Sequence, residues 1–416
     1  MNDAVFVTGI GVAAAGAIGV EAFDAVLRSG RSAVSEVGGG AGPLRRAALL
    51  PESAFEATMP GSATPRALRG ATPAARSAAV VALQASAQSR IVGRIEPERL
   101  AVVLCGHNLS LAVAAERLRA HAGREGFTSP RHALQVWDTH ALGVVAELLT
   151  ARGPGMVAGG HFASGAVALR QAAMLLRTGE ADAALCVAPY AALSDLELHA
   201  LANLGATASV GADNPGRYQP FNPAQAGFVY GEGAACLVLE GSHHVDEGGG
   251  PPLAELAAAV ALLGGRAGPE PSAADAARVM RAALAAARMA PGEVAYVNAH
   301  ATGTPAGDAA EAAAIRDVFG AGHAVPWVNA TKALAGHTLF SAGLVGVVAT
   351  VLQMRGGYLH PDPHLSDGTA AGLRMVGPDT RTANIGAALC NSFGFDGIYG
   401  SVVLKRSGGG HEARRH

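Results

Sequence analysis

The stretch that most constrains the fold is residues 153–178, GPGMVAGGHFASGAVALRQAAMLLRT. It predicts an apolar strand, a turn of small residues, and a helix that is apolar on nearly every side. Such a helix is expected to be buried rather than merely amphipathic. A strand–turn–helix unit of this kind often presents a nucleophile, because backbone N–H groups at the helix N-terminus stabilise an anion. The apex of this turn is Phe162, which has no nucleophilic chemistry.

The second half of the chain repeats this order of elements. Residues 330–354 again form a small-residue turn followed by an apolar helix, and the Gly/Pro-rich run 243–252 separates the halves. Alternating strands and helices favour a layered α/β architecture. We therefore predict two halves, 1–245 and 253–406, stacked as helix–sheet–helix–sheet–helix. The polar tail, 407–416, is predicted to be disordered.

Composition excludes several kinds of partner. The 416 residues carry a net charge of −2, which gives no electrostatic case for binding nucleic acid or an anionic membrane surface. No apolar run of membrane-spanning length and no signal peptide is recognised, so we expect a cytoplasmic protein. The cysteines stand singly in apolar runs without metal-ligand spacing, which favours a reducing compartment and predicts no metal site. They are Cys105, Cys186, Cys236 and Cys390.

Five motifs in a fixed order carry a resemblance to a known family. The chain resembles the ketosynthase branch of the thiolase fold, the beta-ketoacyl synthases, along essentially its whole length. This resemblance implies an α/β, thiolase-like duplicated fold with five layers, α-β-α-β-α. The matching stretches are FVTGIGVAAAGAIG (6–19), PFNPAQAGFVYGEGAACLVLE (220–240), VNAHATGTPAGDAAEAAAI (297–315), ATKALAGHTLFSAG (330–343) and NSFGFDGIYGSVVL (391–404).

The departures from the family motifs lie at the active-site positions. Family members carry cysteine, the acyl-accepting nucleophile, where this chain has Phe162. The second glycine of the family's GHxxG becomes Phe340, the second glycine of FGFGG becomes Asp396, and a nearby asparagine becomes Tyr399. Phe162, Phe340 and Asp396 all add volume, so we expect them to fill the pocket and close it.

Other family positions are retained. His300, His337 and Lys332 stand where the family keeps its two histidines and its lysine, and Glu311 matches the acid that accompanies the lysine. Hydrogen-bond donors alone complete no acyl transfer without a nucleophile. We therefore expect no catalytic residue here, with the three retained side chains vestigial and Glu311–Lys332 a structural ion pair.

The resemblance is to the chain-length factor of type II polyketide systems. Such a protein forms a heterodimer with an active ketosynthase and shapes the tunnel for acyl chains carried on the phosphopantetheine of an acyl carrier protein. It needs no cofactor of its own. We expect a single predicted helix, 131–150, to place its interface residues on one face. The expected tunnel or interface residues are Asn108, Leu111, Val136, Trp137 and His140.

Two other functions stay open from the sequence. A malonyl-ACP decarboxylase would use His300 and His337 to generate primer, and the retained histidines favour it. The glycine replacements Phe340 and Asp396 favour the non-catalytic subunit instead. A third reading is a degenerate ketosynthase that acts alone and only binds acyl carrier protein.

Overall fold

The computed structural model describes residues 4–37, 44, 46–55, 65–208, 218–222, 225, 227–245, 251–320, 325–363, 365 and 372–407. All but the first residue of the predicted tail lies outside these ranges. The strands are β1 (Val5–Ala14), β2 (Ala17–Ile18), β3 (Ser35–Glu36), β4 (Arg46–Ala48), β5 (Leu100–Cys105), β6 (Gly155–Ala158), β7 (Ala183–Ala188), β8 (Tyr230–Gly231), β9 (Gly233–Gly241), β10 (Ala254–Leu263), β11 (Tyr296–Asn298), β12 (Trp327–Asn329), β13 (Tyr358–Leu359), β14 (Arg381–Thr382), β15 (Ala387–Gly394) and β16 (Ile398–Lys405). The α-helices are α1 (Val20–Ser29), α2 (Pro73–Ser89), α3 (Leu111–His121), α4 (His132–Gln135), α5 (Thr139–Leu149), α6 (Ser164–Arg177), α7 (Asp195–Asn203), α8 (Ser242–Val245), α9 (Ala273–Ala286), α10 (Pro305–Phe319), α11 (Lys332–Ala335) and α12 (Ala342–Gly356).

The main sheet consists of two halves with the same plan. Its order is β12-β11-β15-β16-β10-β1-β9-β7-β5-β6. Counted outwards from the centre, the first two pairings of each half are antiparallel and the last two are parallel. Within the sheet, the two halves pair through β1 and β10, at Phe6 opposite Glu255 and Val7 opposite Ala254. The duplication is therefore visible in the topology although no short sequence repeat shows it.

The helices cover both half-sheets and separate them. Helices α6 and α12 pack on each other between the half-sheets, α2 and α5 cover the outer face of the first, and α9 and α10 that of the second. Side chains of a strand alternate between faces, and in β5 Val103 belongs to the central core whereas Val102 belongs to the outer one. The five-layer fold expected from the sequence is confirmed.

The two central helices are apolar for the reason that the sequence suggested. Residues Leu339–Gly356 are long and apolar enough to cross a membrane by length and composition, yet 83% of this stretch is buried inside the protein. The first turns of α6 and α12 touch at Gly165 and Gly343, where a Cβ on Gly165 would lie 2.9 Å from the Leu344 nitrogen. Small residues at this crossing bring the two helix N-termini together.

The predicted helix 131–150 is broken. Helix α4 ends at Gln135 and α5 begins at Thr139. Between them, the Asp138 carboxylate accepts hydrogen bonds from the backbone N–H groups of Asn108 (2.7 Å) and Leu109 (2.8 Å). This tie to the loop after β5 holds the break, so the expectation that Val136, Trp137 and His140 share one helical face was wrong.

Candidate functional site

Two equivalent turns lead into the central helices. His161 (φ 49°) precedes Phe162 and α6, and Leu339 (φ 55°) precedes Phe340 and α12. Both residues adopt the left-handed conformation, which residues other than glycine rarely occupy and which often marks functional turns. Phe162 and Phe340 therefore hold corresponding places in the two halves, each at the N-terminus of a buried helix.

Phe162 lies at the centre of an aromatic cluster. Its side chain is only 5% exposed. The centroid of its ring is 3.9 Å from the ring of His161, 4.5 Å from that of His337 and 5.5 Å from that of Phe395. The position from which a nucleophile would face the histidines is thus filled by a phenyl ring.

His337 is a neutral donor covered by this ring. Its Nδ1 accepts a hydrogen bond from the Leu339 N–H (3.0 Å), which places the proton of the neutral imidazole on Nε2. That Nε2 is buried and has no hydrogen-bond partner among the described residues. Burial, with the nearby Lys332 charge, holds the pKa of His337 well below its ordinary value. An N–H donor is ready at the site, but Phe162 packs against it.

The backbone N–H and carbonyl of His300 are both hydrogen-bonded to charged side chains. Its N–H donates to the Glu311 carboxylate (2.8 Å), and its carbonyl accepts from Lys332 Nζ (2.6 Å). Glu311 also accepts from the N–H of Ala301 (2.7 Å) and the side chain of Asn391 (2.9 Å). No direct ion pair joins Glu311 and Lys332, so that expectation was wrong. Both side chains bind the backbone of His300 instead.

Burial governs the charges of this pair. It raises the pKa of Glu311 and lowers the pKa of Lys332 to about 8. The His300 ring lies 5.7 Å from the His337 ring, and burial lowers the pKa of His300 as well. Both histidines are therefore neutral near pH 7, the state in which an imidazole can donate one hydrogen bond without carrying charge.

A cavity of about 260 Å³ leads to His300. Phe162 and His300 line it, as do the exposed residues Glu270, Pro271 and Pro305, so it reaches the surface. The expectation of a closed pocket was wrong, because Phe162 forms one wall of the cavity instead of filling it.

The other two expected pocket fillers lie elsewhere. Phe340 is buried, but it packs on His107 with ring centroids 4.7 Å apart and does not line the cavity. Asp396 is exposed, and its carboxylate accepts from the Gly268 N–H (2.9 Å). The expectation that Asp396 fills the pocket was therefore wrong. Phe340 fills space outside the cavity, against Gly106.

The expected tunnel and interface residues are not gathered in this cavity. Asn108 and Trp137 are exposed, the latter at 65%, whereas Leu111, Val136 and His140 are half-buried. A role at an interface stays a prediction for all five. The same segment exposes three further large apolar side chains, at Leu118, Phe127 and Leu134.

The cysteines offer no substitute nucleophile. All four are buried, and burial raises the pKa of each thiol, which keeps it protonated and unreactive. Among the described residues, no three His, Cys, Asp or Glu side chains are grouped so that they could hold a metal ion.

Sequence comparison assigns the family. The model described as "Beta-ketoacyl synthase, N-terminal domain" matches residues 2–244, and the one described as "Beta-ketoacyl synthase, C-terminal domain" matches residues 253–366. The chain belongs to the beta-ketoacyl synthase family. The chain thus has the fold of the family, and Phe162 is the residue that the sequence motifs align with the family's nucleophile.

Individual relatives point in two directions. The polyketide biosynthesis malonyl-ACP decarboxylase PksF of Bacillus subtilis (strain 168) is 30% identical over 403 residues, 96% of each chain. The ishigamide ketosynthase/chain length factor superposes with a TM-score of 0.87 at 26% identity, over 98% of this chain and all of that one. A type II PKS ketosynthase bound to its acyl-carrier protein superposes with a TM-score of 0.85 at 25% identity, over 97% and 99%.

Sequence reasoning missed two members of the site. His161 packs on Phe162, and Phe395 packs on both. His161 stands next to Phe162 in the turn and Phe395 lies in the NSFGF motif, so the signals were present. What the sequence lacked was the left-handed turn that aims the His161 ring into the cluster.

Proposed function

We propose that this protein is a non-catalytic, chain-length-factor-like subunit that pairs with an active ketosynthase of the same family during polyketide chain elongation. The observation that carries the proposal is Phe162, whose ring packs on His337 at the nucleophile position. A condensation that extends an acyl chain requires a thiolate to hold that chain. The partner subunit would supply the thiolate.

The surroundings of the turn support this proposal. Phe340, His107 and His161 form a continuous aromatic layer beyond Phe162, with centroids 4.7 Å (His107–Phe340) and 5.9 Å (His161–Phe340) apart. A growing acyl chain that entered past His300 would meet this layer. Elongation inside this chain is therefore blocked twice, by the missing nucleophile and by the packed space behind it.

An exposed apolar segment supports pairing with another protein. Leu118, Phe127, Leu134 and Trp137 are 65–83% exposed, and apolar surface of this kind is typical of interaction sites. The two helices of the segment are held together because Arg117 contacts His132 (3.1 Å) and Gln135. We propose that a ketosynthase docks here and that an acyl carrier protein delivers the chain by its phosphopantetheine arm.

Co-expression with a cysteine-bearing ketosynthase tests the pairing. Size exclusion should show a stable heterodimer, and Trp137→Ala should lengthen the product if Trp137 limits the tunnel. Leu263→Ala is the matched control, since Leu263 is similarly exposed (71%) on a distant strand. Absence of a complex, or equal effects of the two substitutions, would contradict the proposal.

A second function, malonyl-ACP decarboxylase, is favoured by the open cavity that reaches His300. The full-length likeness to PksF supports the same function. Decarboxylation breaks a carbon–carbon bond, releases CO₂ and leaves the electron pair on a thioester enolate, which N–H donors stabilise and a proton from water then quenches. It needs no thiolate. Against it, His337 does not line the cavity, so one of the two donors is covered by Phe162.

The two functions are separated by one assay. The purified protein is mixed with malonyl-acyl carrier protein and CO₂ release is followed. The subunit proposal predicts no release above the uncatalysed rate. Release that disappears in the His300→Ala/His337→Ala variant would establish the decarboxylase instead.

A further inference from the structure

One part of the cavity wall that faces solvent is the loop before α9; exposed residues such as Leu204 and Pro305 form other parts. We call residues 264–272 the rim segment, and its last four residues, 269–272, line the cavity. Pro269 and Pro271 have a fixed φ and stiffen this stretch. The rim segment therefore forms one side of the entrance to His300.

Asp396 ties the middle of the rim segment to the turn after β15. Its carboxylate accepts from the Gly268 N–H, and its own N–H donates to the Gly268 carbonyl, both at 2.9 Å. Asp396 has φ 57°, a conformation that aspartate tolerates better than most residues. Asp396 thus adopts the left-handed conformation of the turn and also binds the rim segment through Gly268.

Tyr399 ties the far end of the same segment. Its hydroxyl accepts from the Ser272 N–H (2.8 Å). The Tyr399 ring packs on Phe393 (5.2 Å), and Phe393 packs on His300 (5.4 Å). Through Tyr399 and Phe393, the rim segment is connected to the part of the cavity wall that contains His300. The start of the segment is held as well, by the Gly264 N–H on the Gly397 carbonyl (2.7 Å).

We propose that Asp396 and Tyr399 are positioning residues that hold the rim segment at a fixed distance from the opposite wall. The entrance then keeps one width, which limits the size of the groups that reach His300. Both side chains stand where the family motif has smaller residues, so this fixed rim is a property of the present chain. The inference goes beyond the proposed function, because it concerns access to the cavity and holds for either role of the protein.

Hydrogen–deuterium exchange of peptides that cover residues 264–272 tests the ties directly. Asp396→Gly removes one acceptor and keeps the left-handed turn, and Tyr399→Phe removes only the hydroxyl. Each is expected to speed exchange in the rim about fivefold to tenfold, the effect of one lost hydrogen bond. Asp396→Asn keeps an acceptor oxygen and should exchange like the wild type.

A second measurement tests the selectivity of the entrance. Ala276 is buried on the cavity wall, and all native cysteines are buried, so Ala276→Cys provides one thiol that reagents reach through the entrance. N-ethylmaleimide should label it much faster than pyrene maleimide, each rate being taken relative to free cysteine. Adding Asp396→Gly and Tyr399→Phe should reduce this preference at least about fivefold.

Unchanged exchange in both single variants, or an unchanged preference between the two maleimides, would overturn the inference. The Asp396→Asn variant keeps the acceptor, so its preference for N-ethylmaleimide over pyrene maleimide should stay high. A preference as low as that of the Asp396→Gly/Tyr399→Phe variant would also overturn the inference. None of these readouts depends on pairing with a ketosynthase or on CO₂ release, so they remain decisive whichever function proves correct.

Discussion

The two turn phenylalanines are equally buried but should differ in what they contribute to stability. Phe162 is 5% and Phe340 is 7% exposed. Replacing a buried phenylalanine by alanine costs about 3–5 kcal/mol, and the cost rises with the empty volume that remains. Phe162 lines a cavity that reaches the surface, so the space it leaves can be hydrated, and we expect about 3 kcal/mol for Phe162→Ala. Phe340 does not line that cavity and its ring packs on His107 with centroids 4.7 Å apart, so Phe340→Ala should cost about 4–5 kcal/mol.

Urea unfolding of the purified protein measures this difference. Both variants should unfold at lower urea concentration than the wild type with unchanged m-values, and Phe340→Ala should lie lower than Phe162→Ala. Leu263→Ala serves as the control, because Leu263 is 71% exposed and its loss should leave the midpoint almost unchanged. If Phe162→Ala destabilises as much as Phe340→Ala or more, the cavity does not reach Phe162 from the surface and this reasoning fails.

Three further predictions concern the same region. Phe162→Cys should create a thiol that iodoacetamide labels through the cavity while the buried native cysteines stay unlabelled, and labelling no faster than in the wild type would contradict the geometry. Burial lowers the pKa of His161 from 6.5 to about 4, so the unfolded state binds more protons than the folded state between these pH values. The free energy of unfolding should therefore fall as the pH is lowered through this window, and it should fall less in His161→Asn. If urea unfolding shows the same dependence of this free energy on pH for both proteins, the prediction is refuted. Asp138→Ala removes the acceptor for the N–H groups of Asn108 and Leu109 and should cost about 1 kcal/mol in urea unfolding, whereas Asp138→Asn, which keeps one acceptor, should cost less.

Periodicity and motifs were sufficient to predict the layers of the fold. Apolar residues on every side of 164–177 and 342–356 predicted two buried helices, because a helix with no polar face has nowhere else to lie. The break of the predicted helix 131–150 could not be seen in this way. It depends on Asp138, whose carboxylate binds a loop about 30 residues earlier in the chain.

The site was predicted less well than the fold, because the sequence shows how large each side chain is but not where the backbone points it. Phe162, Phe340 and Asp396 all enlarge family positions, but the backbone aims them at different places: one at the cavity wall, one at His107 and one at Gly268. Likewise, Glu311 and Lys332 carry opposite charges and were expected to pair, yet both bind the peptide of His300. Residue type gave the candidates, and only the three-dimensional arrangement gave their partners.

The most direct test of the central proposal uses the heterodimer with an active ketosynthase. Chain elongation from malonyl-acyl carrier protein is compared for the wild-type subunit and for its His300→Ala/His337→Ala variant. A non-catalytic subunit predicts equal elongation by both complexes and no CO₂ release by the isolated subunit. Elongation that is lost with the histidines and restored by added acetyl primer would contradict the proposal and assign this chain the decarboxylase function.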